Sequence, residues 1–213
     1  KIKAAVLRDL GLPRPYARSK PLRIEEVDLE GPGEGEILVK VAGAGLCHSD
    51  LSVIDGSRPR PMPVVPGHEG AGVVVEVGKG VTDLAPDDHV VFIFSSSCGK
   101  CRNCARGRPN VCLTWPEMRA KGELMTGACR LSQNGEAIGH NSGISCFAEY
   151  AVMARPSLVK IDKAVPLVKG VDHGQGRTPL DGGQPAGGRL GLGEQHGVGR
   201  NQGHEPGLCL LVG

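Results

Sequence analysis

Four closely spaced cysteines constrain this chain more than any other feature of its sequence. They follow the pattern CxxCxxC, then seven residues, then a fourth cysteine, and they are Cys98, Cys101, Cys104 and Cys112. Two-residue gaps fold tight turns that aim successive thiolates at one point, and four sulfurs complete the tetrahedron that structural zinc prefers. Basic residues between these cysteines would offset the negative charge of four thiolates. The alternative is a pair of disulfides, which adjacent CxxC turns suit less well.

Composition narrows the class of protein. The 213 residues could form one large domain or two small ones, and the net charge of +2 does not favour nucleic acid or an anionic membrane as a partner. No apolar run is long enough to span a bilayer, and the first residues lack the apolar core and cleavage site of a signal peptide. We therefore expect a cytoplasmic protein whose eight cysteines are metal ligands or buried thiols rather than disulfides.

Up to about residue 163 the chain has the pattern of a mainly β domain. Short β-branched runs alternate with Gly and Pro turns, and the candidate strands are KAAVL, LRIEEVDL, EILVKVAG, AGVVVEVG, HVVFIF and FAEYAVM. Their number and short spacing predict an antiparallel barrel or sandwich rather than repeated βαβ units. One short helix is predicted over residues 49–54, with Ser49 as its cap and Asp50 in its first turn.

The segment 166–213 differs in kind from the rest. It is rich in Gly, Arg, Gln and Pro and has no aromatic residue, so it has too little apolar surface to offset the entropy of ordering it. Its GLGEQHG and GVGRNQG stretches do not match GxGxxG and follow no predicted strand. We expect a disordered or frame-shifted tail, ending in a strand-like LCLLVG fragment without a visible partner.

A second group of potential ligands lies upstream of the four cysteines. Cys47 is in GLCHSD, and His68 and Glu69 are in GHEG. A thiolate and an imidazole together favour zinc, and a site with two or three protein ligands leaves a position open for water or substrate. Either fragment alone is more typical of a packed thiol or a solvated side chain. Standing together before the cysteine cluster, they indicate a catalytic metal site.

These motifs resemble the zinc-dependent medium-chain alcohol dehydrogenase family over about residues 1–165. The segments that carry the resemblance are KAAVLRDLG, GPGEGEILVKVAGAGLCHSDLSV, PGHEGAGVVVEVGKGV, DHVV, CGKCRNCARGRPNVC and SGISCFAEYAVMARPSLVKID. The stretch GACRLSQNGEAIGHNSG is similar to the branch with the liver-type and glutathione-dependent formaldehyde enzymes. The resemblance implies a GroES-like β-barrel catalytic domain over 1–165, with a zinc lobe at 95–115, followed in the family by a Rossmann domain that binds NAD.

The resemblance also implies roles for single residues. It makes Cys47, His68 and a later cysteine the ligands of a catalytic zinc, with Glu69 beside the metal, and the four clustered cysteines the ligands of a structural zinc. Ser49 matches the hydroxyl that begins the proton relay, and Asp50 the carboxylate that orients His68. His48 stands where the family often contacts the phosphate of its NAD(P) cofactor.

The resemblance ends after PSLVKID. The family would continue with the third zinc cysteine and a Rossmann domain, which we expect to be absent or out of frame here, and Cys209 is not assigned as a ligand. Two functions stay open: an NAD(P)-dependent dehydrogenase of a small alcohol or aldehyde, and a truncated, inactive zinc-binding domain. A zinc-ribbon nucleic-acid binder is disfavoured because basic and aromatic residues are not clustered. Family members are homo-oligomers.

Overall fold

A computed structural model describes residues 1–167 and 208–210. Five strands form a closed barrel in the order β1-β2-β7-β8-β4. These strands are β1 (Ile2–Leu7), β2 (Leu22–Leu29), β4 (Val64–Val65), β7 (Leu131–Gln133) and β8 (Glu136–His140). Within the described ranges all strand pairs are antiparallel except β4 with β8.

A six-stranded sheet forms the second layer. Its members are β3 (Glu36–Leu46), β5 (Glu69–Val77), β6 (His89–Phe92), β9 (Tyr150–Ala154), β10 (Leu158–Ile161) and β11 (Leu208–Leu210). The order is β10-β6-β5-β3-β11, and β9 pairs with the first half of β3. The long strand β3 therefore organises this sheet, and its C-terminal end leads directly into the first candidate metal ligand.

Helices are few and short. They are α1 (Tyr16–Ser19), α2 (His48–Ile54), α3 (Arg102–Ala105) and α4 (Thr114–Lys121), with 3-10 turns at Pro109–Val111 and Arg155–Ser157. In the part of the chain that the structure describes, none of them has the length and apolarity needed to cross a bilayer.

Aliphatic side chains fill both layers. Ile37, Val39 and Met153 are fully buried in the core of the six-stranded sheet, and Val6 and Val27 are fully buried in the barrel. Each such side chain contributes about 1.5–3 kcal/mol through burial. Since aromatic residues make up only 3% of the chain, branched aliphatic residues carry most of this stabilisation.

The mainly β architecture predicted from the sequence is confirmed. β2 has the predicted bounds, whereas β3 and β5 are longer than predicted and β6 ends at Phe92 instead of Phe94. β9 begins at Tyr150 rather than Phe147, because the preceding segment turns to pair with β1, with the Phe147 carbonyl accepting from the Ala5 amide at 2.8 Å. The sequence pattern did not reveal β4, β7, β8 and β10, which have two to five residues each.

Two local predictions were wrong. Helix α2 begins at His48 and has Cys47, not Ser49, as its cap, because the Asp50 carboxylate accepts the Cys47 amide at 3.1 Å and so fixes the start one turn upstream of itself. The LCLLVG fragment has a partner, since β11 pairs with residues 44–46 of β3. Most of the tail, including GLGEQHG and GVGRNQG, lies outside the described residues, and its disorder or frame shift stays a prediction.

Candidate metal centres

The four-cysteine lobe, residues 95–115, follows β6 and is built by local turns. Cys101 caps α3, and its carbonyl accepts the amide of Ala105 at 2.9 Å, so that Cys104 lies one turn further along. The 3-10 turn Pro109–Val111 then returns the chain to Cys112. The Asn103 amide group donates to the Val111 carbonyl at 2.7 Å and closes this return.

The sulfur positions fit a tetrahedral metal ion. All four Sγ atoms lie within 4.8 Å of one another, and those of Cys101 and Cys104 are 3.5 Å apart. Four bonds of about 2.3 Å to zinc would place the sulfurs about 3.8 Å apart. Backbone amides also face the sulfurs: Cys101 N–H donates to Cys98 Sγ at 3.3 Å, and Cys98 N–H donates to Cys112 Sγ at 3.4 Å. The donor set therefore fits structural zinc.

The electrostatics of the lobe favour a thiolate at Cys98. The Thr114 hydroxyl and the amides of Lys100 and Cys101 stabilise its charged form and lower the pKa of the Cys98 thiol to about 6. Burial and the neighbouring Cys101 raise the pKa of the Cys104 thiol. The seven cysteines whose side chains the structure describes form no disulfide.

The mixed-donor group consists of Cys47, His68 and Glu69. Cys47 lies at the start of α2, His68 immediately precedes β5, and Glu69 begins it. One ligand atom of each lies within 4.8 Å of the others, and His68 Nε2 is 3.8 Å from Glu69 Oε1. His68 and Glu69 are buried, while the ring of Phe94, 48% exposed, packs edge-on against His68 at 5.8 Å. The Cys47 thiol is half-buried, so the group is partly open on that side.

The Asp50 carboxylate orients His68 by contacting the Nδ1 side of its ring. This carboxylate is fully buried, with Oδ1 3.1 Å from His68 Nδ1. The same carboxylate accepts the amides of Cys47 at 3.1 Å and Gly67 at 3.2 Å. With Nδ1–H donating to Asp50, Nε2 carries the lone pair and lies 3.8 Å from Glu69 Oε1, as a metal ligand requires.

Two further predicted residues lie on α2. Ser49 Oγ is 3.0 Å from His68 Nε2, so its hydroxyl is next to the donor atoms. His48 is exposed at the first position of the helix, and its carbonyl accepts the Ser52 hydroxyl at 3.1 Å. The structure thus brings Ser49 and Asp50 to His68 and leaves His48 facing solvent.

Gly67 is required where the chain enters the site. It has a φ of +91°, and a Cβ at this position would lie 2.8 Å from the Phe147 amide nitrogen and 2.9 Å from Cys146 Sγ. Only glycine tolerates both the left-handed backbone and this close approach. Its conformation allows the Gly67 amide to reach Asp50 and sets the direction in which His68 leaves the loop.

Sequence reasoning did not identify Asn141 as part of this site. The buried Asn141 side chain lies with Nδ2 3.4 Å from Asp50 Oδ1, and its backbone amide donates to Ser145 Oγ at 2.9 Å. The only local signal is the polar turn-forming string HNSG. Phe94, placed in a strand by the sequence pattern, was also not recognised as a neighbour of His68.

Within residues 1–167 the structure brings no second cysteine to the mixed-donor group, although the family resemblance implies a later cysteine as the third ligand. Cys146 is nearby, but its Sγ donates to the Glu69 carbonyl at 3.3 Å, and burial raises the pKa of its thiol well above the usual range. Cys129 donates to the Ile138 carbonyl at 3.1 Å. The side chain of Cys209 lies outside the described residues. The described residues therefore offer three donors of different chemistry, namely a thiol, an imidazole and a carboxylate.

A mainly β fold with a four-sulfur lobe and a mixed-donor group defines the class of zinc-binding GroES-like domains, and the comparisons with known proteins agree. Residues 33–163 match the family described as the alcohol dehydrogenase GroES-like domain. S-(hydroxymethyl)glutathione dehydrogenase of Escherichia coli is 46% identical over 148 residues, which are 69% of this chain and 40% of that protein. The chain therefore spans about 40% of the length of the curated relatives it matches.

Solved structures show the same relationship. An alcohol dehydrogenase zinc-binding domain protein from Burkholderia ambifaria has a TM-score of 0.72 and 37% identity, covering 81% of this chain and 45% of that chain. Benzyl alcohol dehydrogenase from Acinetobacter calcoaceticus has a TM-score of 0.70 and 33% identity, covering 81% and 44%. The chain belongs to the alcohol dehydrogenase GroES-like domain family.

Proposed function

We propose that this chain is the catalytic domain of an NAD(P)-dependent zinc alcohol dehydrogenase, which oxidises an alcohol to an aldehyde or ketone. The convergence of Cys47, His68 and Glu69 within 4.8 Å, with Asp50 buried behind His68, carries the proposal. Three mixed donors on a partly open site are typical of catalytic rather than structural zinc. The four-cysteine lobe would hold the second, structural zinc.

The residues in and around the mixed-donor group would have distinct roles in the proposed reaction. Zinc held by this group supplies a Lewis acid that lowers the pKa of a bound alcohol, as it lowers that of water toward about 7. Ser49 Oγ, 3.0 Å from His68 Nε2, is placed to relay the proton that the alcohol loses, accepting it while its own hydroxyl proton passes to water. Asp50 keeps the proton of His68 on Nδ1, and Glu69 Oε1, 3.8 Å from Nε2, is a carboxylate that can approach the metal.

One of the described residues, His48, is proposed to contact the coenzyme. NAD(P) supplies the acceptor for the hydride. His48 is exposed at the start of α2 and could donate a hydrogen bond to a coenzyme phosphate. Among the described residues the single parallel strand pair, β4 with β8, is too short for a nucleotide-binding sheet.

Zinc content and turnover test the proposal. We expect two zinc ions per chain and coenzyme-dependent oxidation of benzyl alcohol or S-(hydroxymethyl)glutathione, the two substrates named by the relatives. Cys47→Ser should remove one zinc and the turnover, whereas Cys129→Ser, which changes a cysteine outside both groups, should remove neither. Turnover that survives Cys47→Ser would contradict the proposed role of this site.

A second candidate is a zinc-binding domain without catalysis. The observation in its favour is that no coenzyme-binding parallel sheet lies within the described residues. It predicts about one tightly held zinc and no alcohol oxidation at any coenzyme concentration.

Under either candidate we propose a cytoplasmic location, since a reducing compartment keeps the described cysteines as thiols.

A further inference from the structure

Three arginines without acidic partners lie close together beyond the end of α2. Arg58 and Arg60 are in the loop that follows the helix, and Arg119 is on α4. In the described part of the chain no carboxylate forms an ion pair with any of them, whereas Arg8 and Arg155 each have one acidic partner and Arg130 has two. The three guanidinium groups therefore form an uncompensated positive cluster.

The loop and the helix meet at a defined point. The Pro61 carbonyl, the Pro63 carbonyl and Gly122 Cα all lie within 4 Å of the position of a Cβ on Gly139. Pro61 follows Arg60 directly, and the Gly122 amide donates to the Arg119 carbonyl at 3.3 Å. The backbones that carry Arg60 and Arg119 are thus packed on the same strand, β8.

Several donors in the cluster are buried without an acceptor. The Nε atoms of Arg60 and Arg119 and the indole Nε1 of Trp115 are all inaccessible and have no hydrogen-bond partner. Arg60 has one contact, from Nη1 to the Pro59 carbonyl at 2.9 Å. The Arg119 guanidinium lies over the Trp115 ring, 5.0 Å from its centroid, which offsets part of its charge but accepts no hydrogen bond in the ring plane. Buried donors without an acceptor are costly, so this part of the cluster is left electrostatically unsatisfied.

The cluster also lowers its own basicity. Burial, followed by the charge of Arg58, lowers the pKa of Arg60. Burial and then the charges of Arg60 and Arg58 lower the pKa of Arg119. Mutual repulsion of this kind is relieved when an anion binds between the cations.

The cluster lies near the mixed-donor group. The Arg58 amide donates to the Ser52 carbonyl at 2.8 Å, which anchors the arginine loop to the last turns of α2. Ser52 is three residues beyond Ser49, or roughly 4.5 Å along the helix axis. An anion held by Arg58 would therefore lie on the order of 10 Å from Ser49, a distance that a short aliphatic chain can span.

We propose that Arg58, Arg60 and Arg119, with the indole N–H of Trp115, form an oxyanion-binding site for a phosphate or carboxylate group. Guanidinium groups present planar pairs of donors that match both anions. The group could be a free anion or the anionic end of an alcohol whose hydroxyl reaches Ser49. The site does not depend on the proposed dehydrogenase activity, since anion binding requires neither turnover nor coenzyme.

Trp115 provides the measurement, because it is the single tryptophan of the chain. Titration of the zinc-loaded 213-residue chain with inorganic phosphate, at ionic strength held constant with chloride, should give a saturable change in tryptophan fluorescence. Thermal unfolding in the same series should shift upward with phosphate. Arg58→Gln, which changes an exposed side chain, and Arg60→Gln should each weaken phosphate binding at least tenfold.

The control is Arg23→Gln, which removes the same charge from an exposed position on β2. It should bind phosphate as the unchanged chain does. A response no larger than that to chloride, or equal weakening in Arg23→Gln and Arg60→Gln, would overturn the proposal.

A second titration identifies the source of the anion. If the anion belongs to the substrate, 6-hydroxyhexanoate should bind at least tenfold more tightly than acetate, and Arg60→Gln should abolish that advantage. Equal binding of 6-hydroxyhexanoate and acetate would assign the site to a free anion. Because neither measurement involves turnover, the oxyanion site and the proposed function can fail separately.

Discussion

The four-cysteine lobe and the mixed-donor group are built in opposite ways. All donors of the lobe come from fifteen consecutive residues, and its turns are closed by hydrogen bonds within the same segment. The donors of the mixed group come from the starts of α2 and β5, and the carboxylate that orients His68 is contacted by Asn141, 91 residues further along the chain. The lobe depends only on the folding of its own segment. The mixed group, in contrast, forms only once the barrel and the sheet have folded.

This difference separates the chemistry of the two regions. Four thiolates leave no position for another ligand, so the lobe suits a metal that holds structure. Thiolate, imidazole and carboxylate with one partly open side suit a metal that binds a substrate. The comparison predicts that the two regions respond differently to the loss of a ligand, to metal removal and to the loss of a supporting side chain.

The largest effect is expected from loss of a lobe ligand. Cys104→Ser should remove one zinc per chain and lower the melting temperature by about 10 °C, since binding of structural zinc contributes directly to folding. Cys129→Ser should keep both zinc content and melting temperature. Zinc analysis after gel filtration, together with calorimetry, measures both quantities. A Cys104→Ser chain that retains its full zinc content would break the distinction between the regions.

Metal removal should expose an unusually reactive thiol in the lobe. In the metal-free chain at pH 7, Cys98 is mostly thiolate because its pKa is about 6, while burial keeps Cys146 a thiol. Alkylation at Cys98 should therefore be at least about 100-fold faster than at Cys146. The Cys98 rate should fall as the pH drops through about 6. Mass spectrometry of timed iodoacetamide reactions measures each site, and equal rates at Cys98 and Cys104 would show that the lobe loses its structure without metal.

Loss of the orienting carboxylate should affect the mixed group alone. Asp50→Asn keeps the size of the side chain but removes the negative charge that faces His68 Nδ1, so metal affinity at Cys47 and His68 should fall about 10- to 100-fold. Lobe affinity should not change. Competition against a chromophoric chelator resolves the two sites. Asp87→Asn, at an exposed position with a φ of +70° that asparagine tolerates, is the matched control.

The lobe could be predicted from the sequence because its geometry is local. The spacing of Cys98, Cys101 and Cys104 specifies successive turns, and no distant contact is needed to bring their sulfurs together. The mainly β architecture was also readable from alternating runs such as the one that forms β2. Cys47 and His68 were singled out by their ligand chemistry, but their separate roles came only from the family resemblance, since no spacing rule links donors on separate elements.

The supporting residues could not be predicted for the same physical reason. The parallel pairing of β4 with β8 joins Val65 to His140, and this register places the next residues, Pro66 and Asn141, side by side. That pairing involves a strand of two residues, too short to leave a periodic pattern in the sequence. The place of Asn141 beside Asp50 is therefore a consequence of sheet register. The uncompensated arginines likewise meet only through the packing of a loop and a helix on β8.

Asn141→Ala should have the smallest effect. It tests most directly whether a residue placed by sheet register supports the mixed group. The Nδ2···Oδ1 distance of 3.4 Å to Asp50 is long, and the carboxylate keeps its contacts with His68, Cys47 and Gly67. Loss of about 1 kcal/mol, the usual net value of one hydrogen bond, would weaken metal binding about fivefold. The chelator competition used for Asp50→Asn measures this change, with Asn110→Ala, an exposed position in the lobe, as the control. An effect as large as that of Asp50→Asn would mean that Asn141 determines the position of the carboxylate, and no effect would mean that the other three contacts hold it without Asn141.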